Sequence, residues 1–352
     1  MQAATQDSVT RRHTIVLGLK LLAGLMIIAA PVFIAGIWVP GLSDVAFFGI
    51  LAASFGWIAG GVRIGALVVA SLAVLGVVVT LLRGQTWALA LILIGLGVLY
   101  GYAASRGVGK AVLQLPILTP YFILKPPTLF SDPPVIDAKY IVGVLVVMLV
   151  TGLWAILVLH LAAGTRTLQH VEVREPRVPL LYGTILGVLS AVVMIIGTST
   201  DLKTHWVWVT LTLYVLADPQ QLYTPAKMWG RVLGTLAGFA VVSLLVLVGI
   251  PDNVLLILAL PALWLTLVFM VIGRPYWQYA LFLTITVVFM GMAEVNTLLL
   301  DAERIGFTIV GAGLSIRAAL LVNVIGYRRA GLSAPAPAPA SDPATAPVRK
   351  QD

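Results

Sequence analysis

The sequence predicts an all-α polytopic membrane protein of about twelve transmembrane helices, arranged as two parallel six-helix repeats. Three observations predict it. The chain is 60% hydrophobic and only 10% charged, with a mean hydropathy of +1.04, whereas ordinary soluble domains are about 45–50% apolar. Apolar runs of about 20 residues, enough for a helix to cross a bilayer, recur along the chain without the alternation of barrel strands. Two stretches also recur at nearly one offset. "VRIGALVVASLAVLGVVV" around Arg63 returns 168 residues later as "GRVLGTLAGFAVVSLLVLV" around Arg231, and "DAKYIVGVLVVML" from Asp137 returns 164 residues later as "DAERIGFTIVGAGLS". A repeated unit with an even number of spans keeps its orientation, so the halves are related by an axis along the membrane normal.

The elements follow in order. Residues 1–14 form a cytoplasmic N-terminal segment. The run over 15–38 is too long for a signal h-region and reads as a retained first helix. It opens the first repeat, 15–163, with further spans at 45–62, 64–82, 87–105, 108–124 and 139–163. Pro116 and Pro120 interrupt the span at 108–124, a break that needs neighbours or water to satisfy the freed carbonyls. A cytoplasmic connector, 164–178, leads to the second repeat, 179–328, with spans at 179–198, 204–217, 230–250, 253–272, 276–292 and 304–326. The Pro/Ala-rich tail, 329–352, lacks the residues to build a core and is expected to be disordered and cytoplasmic.

Basic residues orient the chain. Of 22 Lys and Arg, 15 fall on the side of the termini and five opposite: Arg83, Lys125, Lys139, Lys203 and Arg304. Lys20 and Arg317 lie within spans. This places both termini in the cytoplasm of a multi-pass inner (plasma) membrane protein.

Composition also excludes chemistry. There is no cysteine, hence no disulfide or thiolate site. The four histidines are scattered without metal-ligand spacing, so no metal or other cofactor is expected. "ASRGVGKAV" lacks both the first glycine and the Ser/Thr of a phosphate loop. No acid/base cluster sits within the spans, so the chain is not expected to be an enzyme. The formal charge of +8 is spread over loops rather than gathered in a patch, which argues against nucleic acid as a partner.

The candidate site begins at "MWGRVLGTLAGFAVVSLLVLVG". Gly230, Gly234 and Gly238 recur every fourth residue, a small-residue face that lets another helix approach closely. Arg231 falls at the cytoplasmic mouth of this span, where positive-inside placement and snorkelling already account for a basic residue. The repeat sets Arg63 opposite it, and Lys227 and Arg274 share that side, a positive vestibule suited to gathering anions. Arg317 lies about 13 Å from the inner helix end, deep enough to need a partner or water. Two roles stay open for it: an interior anion contact, or an ion pair with Asp218, itself a candidate coupling carboxylate. Tyr279 is a candidate to line the route of a planar acid.

"HWVWVTLTLYVLADPQQLYTPAKMWGRVLGTLAGF" resembles the signature of the fusaric acid resistance protein-like (FUSC) family of integral membrane transporters, with Trp206, Asp218, Pro219, Arg231, Gly234, Thr235 and Gly238 matching. "RPYWQYALFLTITVVFM" and "DAERIGFTIVGAGLS" resemble its later helices, so the similarity covers about 175–328 well and the first half faintly. The resemblance implies export of small organic anions such as aromatic carboxylic acids. Absence of an ATPase motif points to an ion gradient, or to another subunit, as the drive. An anion channel resembling the malate channels and an envelope-assembly membrane protein are the alternatives. Expected partners are the lipid bilayer and the small organic anion, with a homo-oligomer or a periplasmic adaptor left open.

Overall fold

The computed structural model describes residues 19–325 except 21, 132, 166, 169, 174, 201–204, 218–224, 272–274, 291–296 and 323. The chain runs through α1 (Leu22–Gly36), α2 (Leu42–Leu81), α3 (Thr86–Ser105), a 3₁₀ turn (Gly109–Ala111), α4 (Gln114–Leu124), α5 (Ala138–Ala163) and α6 (Arg177–Thr198). It continues through α7 (Trp206–Val215), α8 (Pro225–Leu247), α9 (Asp252–Val271), α10 (Tyr276–Met290) and α11 (Thr297–Val322). No strand occurs among the described residues. Among the described residues, five helices are long and apolar enough to cross a membrane: α2, α3, α5, α6 and the Trp229–Leu247 part of α8. The protein is a polytopic helical membrane protein.

The 40-residue α2 would be about 60 Å long if straight, twice the hydrocarbon thickness. It is instead a helical hairpin. The backbone breaks at Gly60 and Gly61, and Gly61 adopts φ 76°, the left-handed region that side chains with a Cβ avoid. A Cβ on Gly56 would lie 2.9 Å from the Cα of Gly65, although nine residues of straight helix span about 13 Å. The expected spans 45–62 and 64–82 are the two arms of this element. The expected span at 108–124 is shorter as a helix, because a 3₁₀ turn precedes α4. Pro120 lies inside α4, and the nearby Thr119 hydroxyl donates to the Leu115 carbonyl at 2.7 Å.

The proline break in α1 is answered by a neighbouring helix. Pro31 in α1 has no N–H to offer the carbonyl of Ile27, four residues back. The indole Nε1 of Trp154 in α5 donates to that carbonyl at 3.1 Å. A carbonyl that lipid could not satisfy thereby fastens α1 to α5, where Ile28, Ala155 and Val158 also pack together.

Close helix contacts are made on glycine. A Cβ on Gly97 of α3 would lie 2.5 Å from Gly183 O and 2.6 Å from Gly187 N of α6, and Gly101 meets Pro179 and Leu180. Advancing along α3 means retreating along α6, so the pair is antiparallel. The main apolar core joins α2 through α7 with the later part of α11, and includes Phe122, Met148, Tyr182, Leu213 and Val322. A second, smaller core joins α8, α9 and α10 through Val242, Leu255 and Phe289.

Loop contacts define the two ends of the larger group. At one end, Thr128 Oγ1 donates to Asp44 at 2.7 Å, Phe130 N–H donates to Pro40 O at 3.0 Å, and Gly197 sits against Trp206 and Leu124. At the other, the Val171 N–H donates to Gly107 O at 3.0 Å, while Leu168 covers the hairpin turn at Gly60.

Candidate anion site

The site rests on the contact between α8 and α10. A Cβ on Gly230 would lie 3.2 Å from Trp277 N, one on Gly234 2.7 Å from the Ala280 Cβ, and one on Gly238 2.8 Å from Leu281 O. The stripe of three glycines therefore faces α10, and the two helices advance in the same direction. This close approach carries Arg231 against the first turn of α10.

Arg231 is only 4% exposed. Tyr276 and Tyr279 lie within electrostatic reach of its guanidinium, with their rings 5.5 Å apart and inclined by 42°. Arg231 Nε and Nη1, Tyr276 Oη and Thr235 Oγ1 are all buried, and apart from the approach of the Arg231 guanidinium to the Tyr276 phenol they find no partner in the protein. Thr235 follows Arg231 by one helical turn and so shares its face.

This is an expensive arrangement to leave empty. Each buried polar group without a partner costs about 1–3 kcal/mol, more when charged. Several threonines in the membrane helices avoid the cost by donating to the carbonyl four residues back, as Thr80, Thr266, Thr284 and Thr286 do at 2.7–2.8 Å. Thr235 does not. Its hydroxyl, the Tyr276 phenol and two guanidinium N–H groups form a set of donors suited to an oxyanion.

The other expected site residues divide. Arg231 is enclosed rather than exposed at a mouth, because the glycine contact draws α8 onto α10. Arg63 is exposed, so the symmetric pair of arginines expected from the repeat is not formed alike in the two halves. Arg317 is also exposed. Ser315, Ala318 and Ala319 take the buried face of α11, which turns Arg317 outward instead of into a site between helices. The Lys227 side chain, Arg274 and Asp218 lie outside the described residues. Among the described residues no group of three His, Asp or Glu could hold a metal.

Tyr276 was not legible as a site residue, and Thr235 entered only as a match to the family signature. Tyr276 reads as an interfacial aromatic at a helix start, and Thr235 as a neutral member of an apolar face. Only the identity of the helix packed on the glycines reveals them.

Residues 192–318, from the last third of α6 into α11, match the family described as fusaric acid resistance protein-like. No curated protein and no solved structure matches the chain.

Proposed function

We propose that this chain, which belongs through residues 192–318 to the fusaric acid resistance protein-like family, is a transporter exporting small organic anions such as aromatic carboxylic acids. The observation that carries the proposal is the enclosed Arg231, whose Nε and Nη1 have no partner beyond the neighbouring Tyr276 phenol. A buried guanidinium donates charge-assisted hydrogen bonds to a carboxylate, and Nε and Nη1 can each give one. Thr235 and Tyr276 can donate to the remaining lone pairs, and the Tyr276–Tyr279 pair supplies aromatic surface for a planar acid. Burial weakens dielectric screening, so the attraction is larger there than at an exposed arginine. Binding and release of such an anion, without a bond being made or broken, is transport rather than catalysis, and an ion gradient is the drive.

We also infer the twelve-span, two-repeat layout with both termini cytoplasmic. In its support, Thr151 Oγ1 lies 3.4 Å from Ala46 O across the contact of α5 with α2. Ser315, 164 residues later, sets its Oγ 3.4 Å from Leu213 O across the contact of α11 with α7. The same hydroxyl position docks the last helix of each repeat on its second. Because the chain lacks cysteine, single cysteines test the orientation cleanly. Val135→Cys is expected to react with an impermeant maleimide from outside the cell, and His170→Cys only after permeabilisation. The reverse pattern would refute the topology.

The function is tested by counterflow in proteoliposomes. Labelled benzoate outside is expected to accumulate transiently in vesicles preloaded with unlabelled benzoate, as an exchanging carrier requires. Simple dissipation of a gradient, sensitive to voltage and without counterflow, would identify an anion channel instead.

A further inference from the structure

We propose a second polar site, separate from Arg231, in which Ser190 of α6 and Tyr214 of α7 hold an ordered water at the depth of the bilayer centre. Both residues are 0% exposed. Neither Ser190 Oγ nor Tyr214 Oη has a hydrogen-bond partner, yet the serine hydroxyl is close enough to bear on the phenol. The Tyr214 ring is held edge-on by Tyr100 of α3, with centroids 5.8 Å apart at 83°. Three helices thus converge on two hydroxyls that have no partner beyond each other.

Depth follows from helix geometry. Gly197 of α6 and Trp206 of α7 touch at one end of the bundle. Ser190 lies about 10 Å from Gly197 along its helix, and Tyr214 about 12 Å from Trp206 along its own. The hydrocarbon core is about 30 Å thick, so both hydroxyls approach its middle.

The fold also requires something polar there. The ten residues of α7 span about 15 Å, so the helix stops inside the membrane. At its end Leu216 N–H donates to Thr212 O in the ordinary α register, and Ala217 N–H closes a tighter turn onto Tyr214 O, both at 3.1 Å. A helix end at this depth is tolerated only where protein or water satisfies it.

The occupant is neutral and must both donate and accept, as a hydroxyl pair does. Water meets both conditions, and Leu186 O, four residues before Ser190 and not used by its hydroxyl, supplies a further acceptor. Such a water joins α6 to α7 without a formal charge.

X-ray hydroxyl-radical footprinting of the full chain in lipid nanodiscs tests this, because radicals form from water where it is bound. Tyr214 is expected to be oxidised several-fold faster than Phe122, which is equally buried at 0% exposure but has no polar atom. Ser190→Ala is expected to bring Tyr214 down to the rate of Phe122. If Tyr214 in the unmodified chain is as protected as Phe122, the site is dry and the proposal fails. Rapid oxidation of Tyr214 that Ser190→Ala leaves unchanged would also overturn it, since the serine would then hold nothing.

Discussion

Gly97→Leu is expected to remove most of the folded protein. A Cβ at this position already meets Gly183 O and Gly187 N at 2.5 and 2.6 Å. Both are backbone atoms, and α6 cannot yield there by turning a side chain. The helices would have to separate along a contact that continues through Gly101 and Gly183. Overpacking typically costs about 1–3 kcal/mol, occasionally more, and this position belongs at the upper end. Gly95→Leu is the control: it changes the same residue type two positions earlier, where a Cβ meets nothing within 4 Å. The expected result is poor accumulation or a lowered melting temperature in detergent for Gly97→Leu, and near-normal behaviour for Gly95→Leu. Equal behaviour of the two variants would show that α3 and α6 do not meet on this face.

The comparison with sequence is instructive at these glycines. Spacing of four marks Gly230, Gly234 and Gly238, and it marks Gly97 with Gly101 and Gly183 with Gly187 equally well. Only the first set has an arginine within it to mark it as a candidate site. Local spacing identifies a face capable of close approach, but the partner lies tens of residues away and leaves no local signal. The helical breaks were more legible, since apolar length forces a turn between 45 and 82 and a pair of glycines offers the place.

Charges were the least legible feature. Hydropathy places Arg63, Arg231 and Arg317 in or near spans, but cannot say which way each faces. That depends on rotation of the helix about its axis, set by packing. On α11, small residues at 315, 318 and 319 occupy the buried side and leave Arg317 outside. On α8, the glycine stripe sets the rotation, and Arg231, adjacent to its first glycine, is carried inward.

Arg231→Gln is therefore expected to cost about ten- to a hundredfold in transport at subsaturating substrate, the scale of losing charge-assisted hydrogen bonds worth about 1.5–3 kcal/mol. The loss should persist at high salt, because an enclosed charge is screened little; an exposed collecting charge would lose its influence as salt rises. Arg63→Gln, at an exposed position, should change transport little under the same conditions. Arg231→Lys should recover only part of the activity, since an ammonium cannot reproduce the two-pronged geometry of a guanidinium. Tyr276→Phe and Thr235→Val keep shape while removing one hydroxyl each, and each should raise KM more than it alters the amount of folded protein. Uptake of labelled benzoate into vesicles, normalised to folded protein, reads all five variants. If Arg231→Gln transports normally while Arg63→Gln does not, the anion is met at the exposed surface of the first repeat, and the enclosed donors on α8 and α10 serve some other purpose.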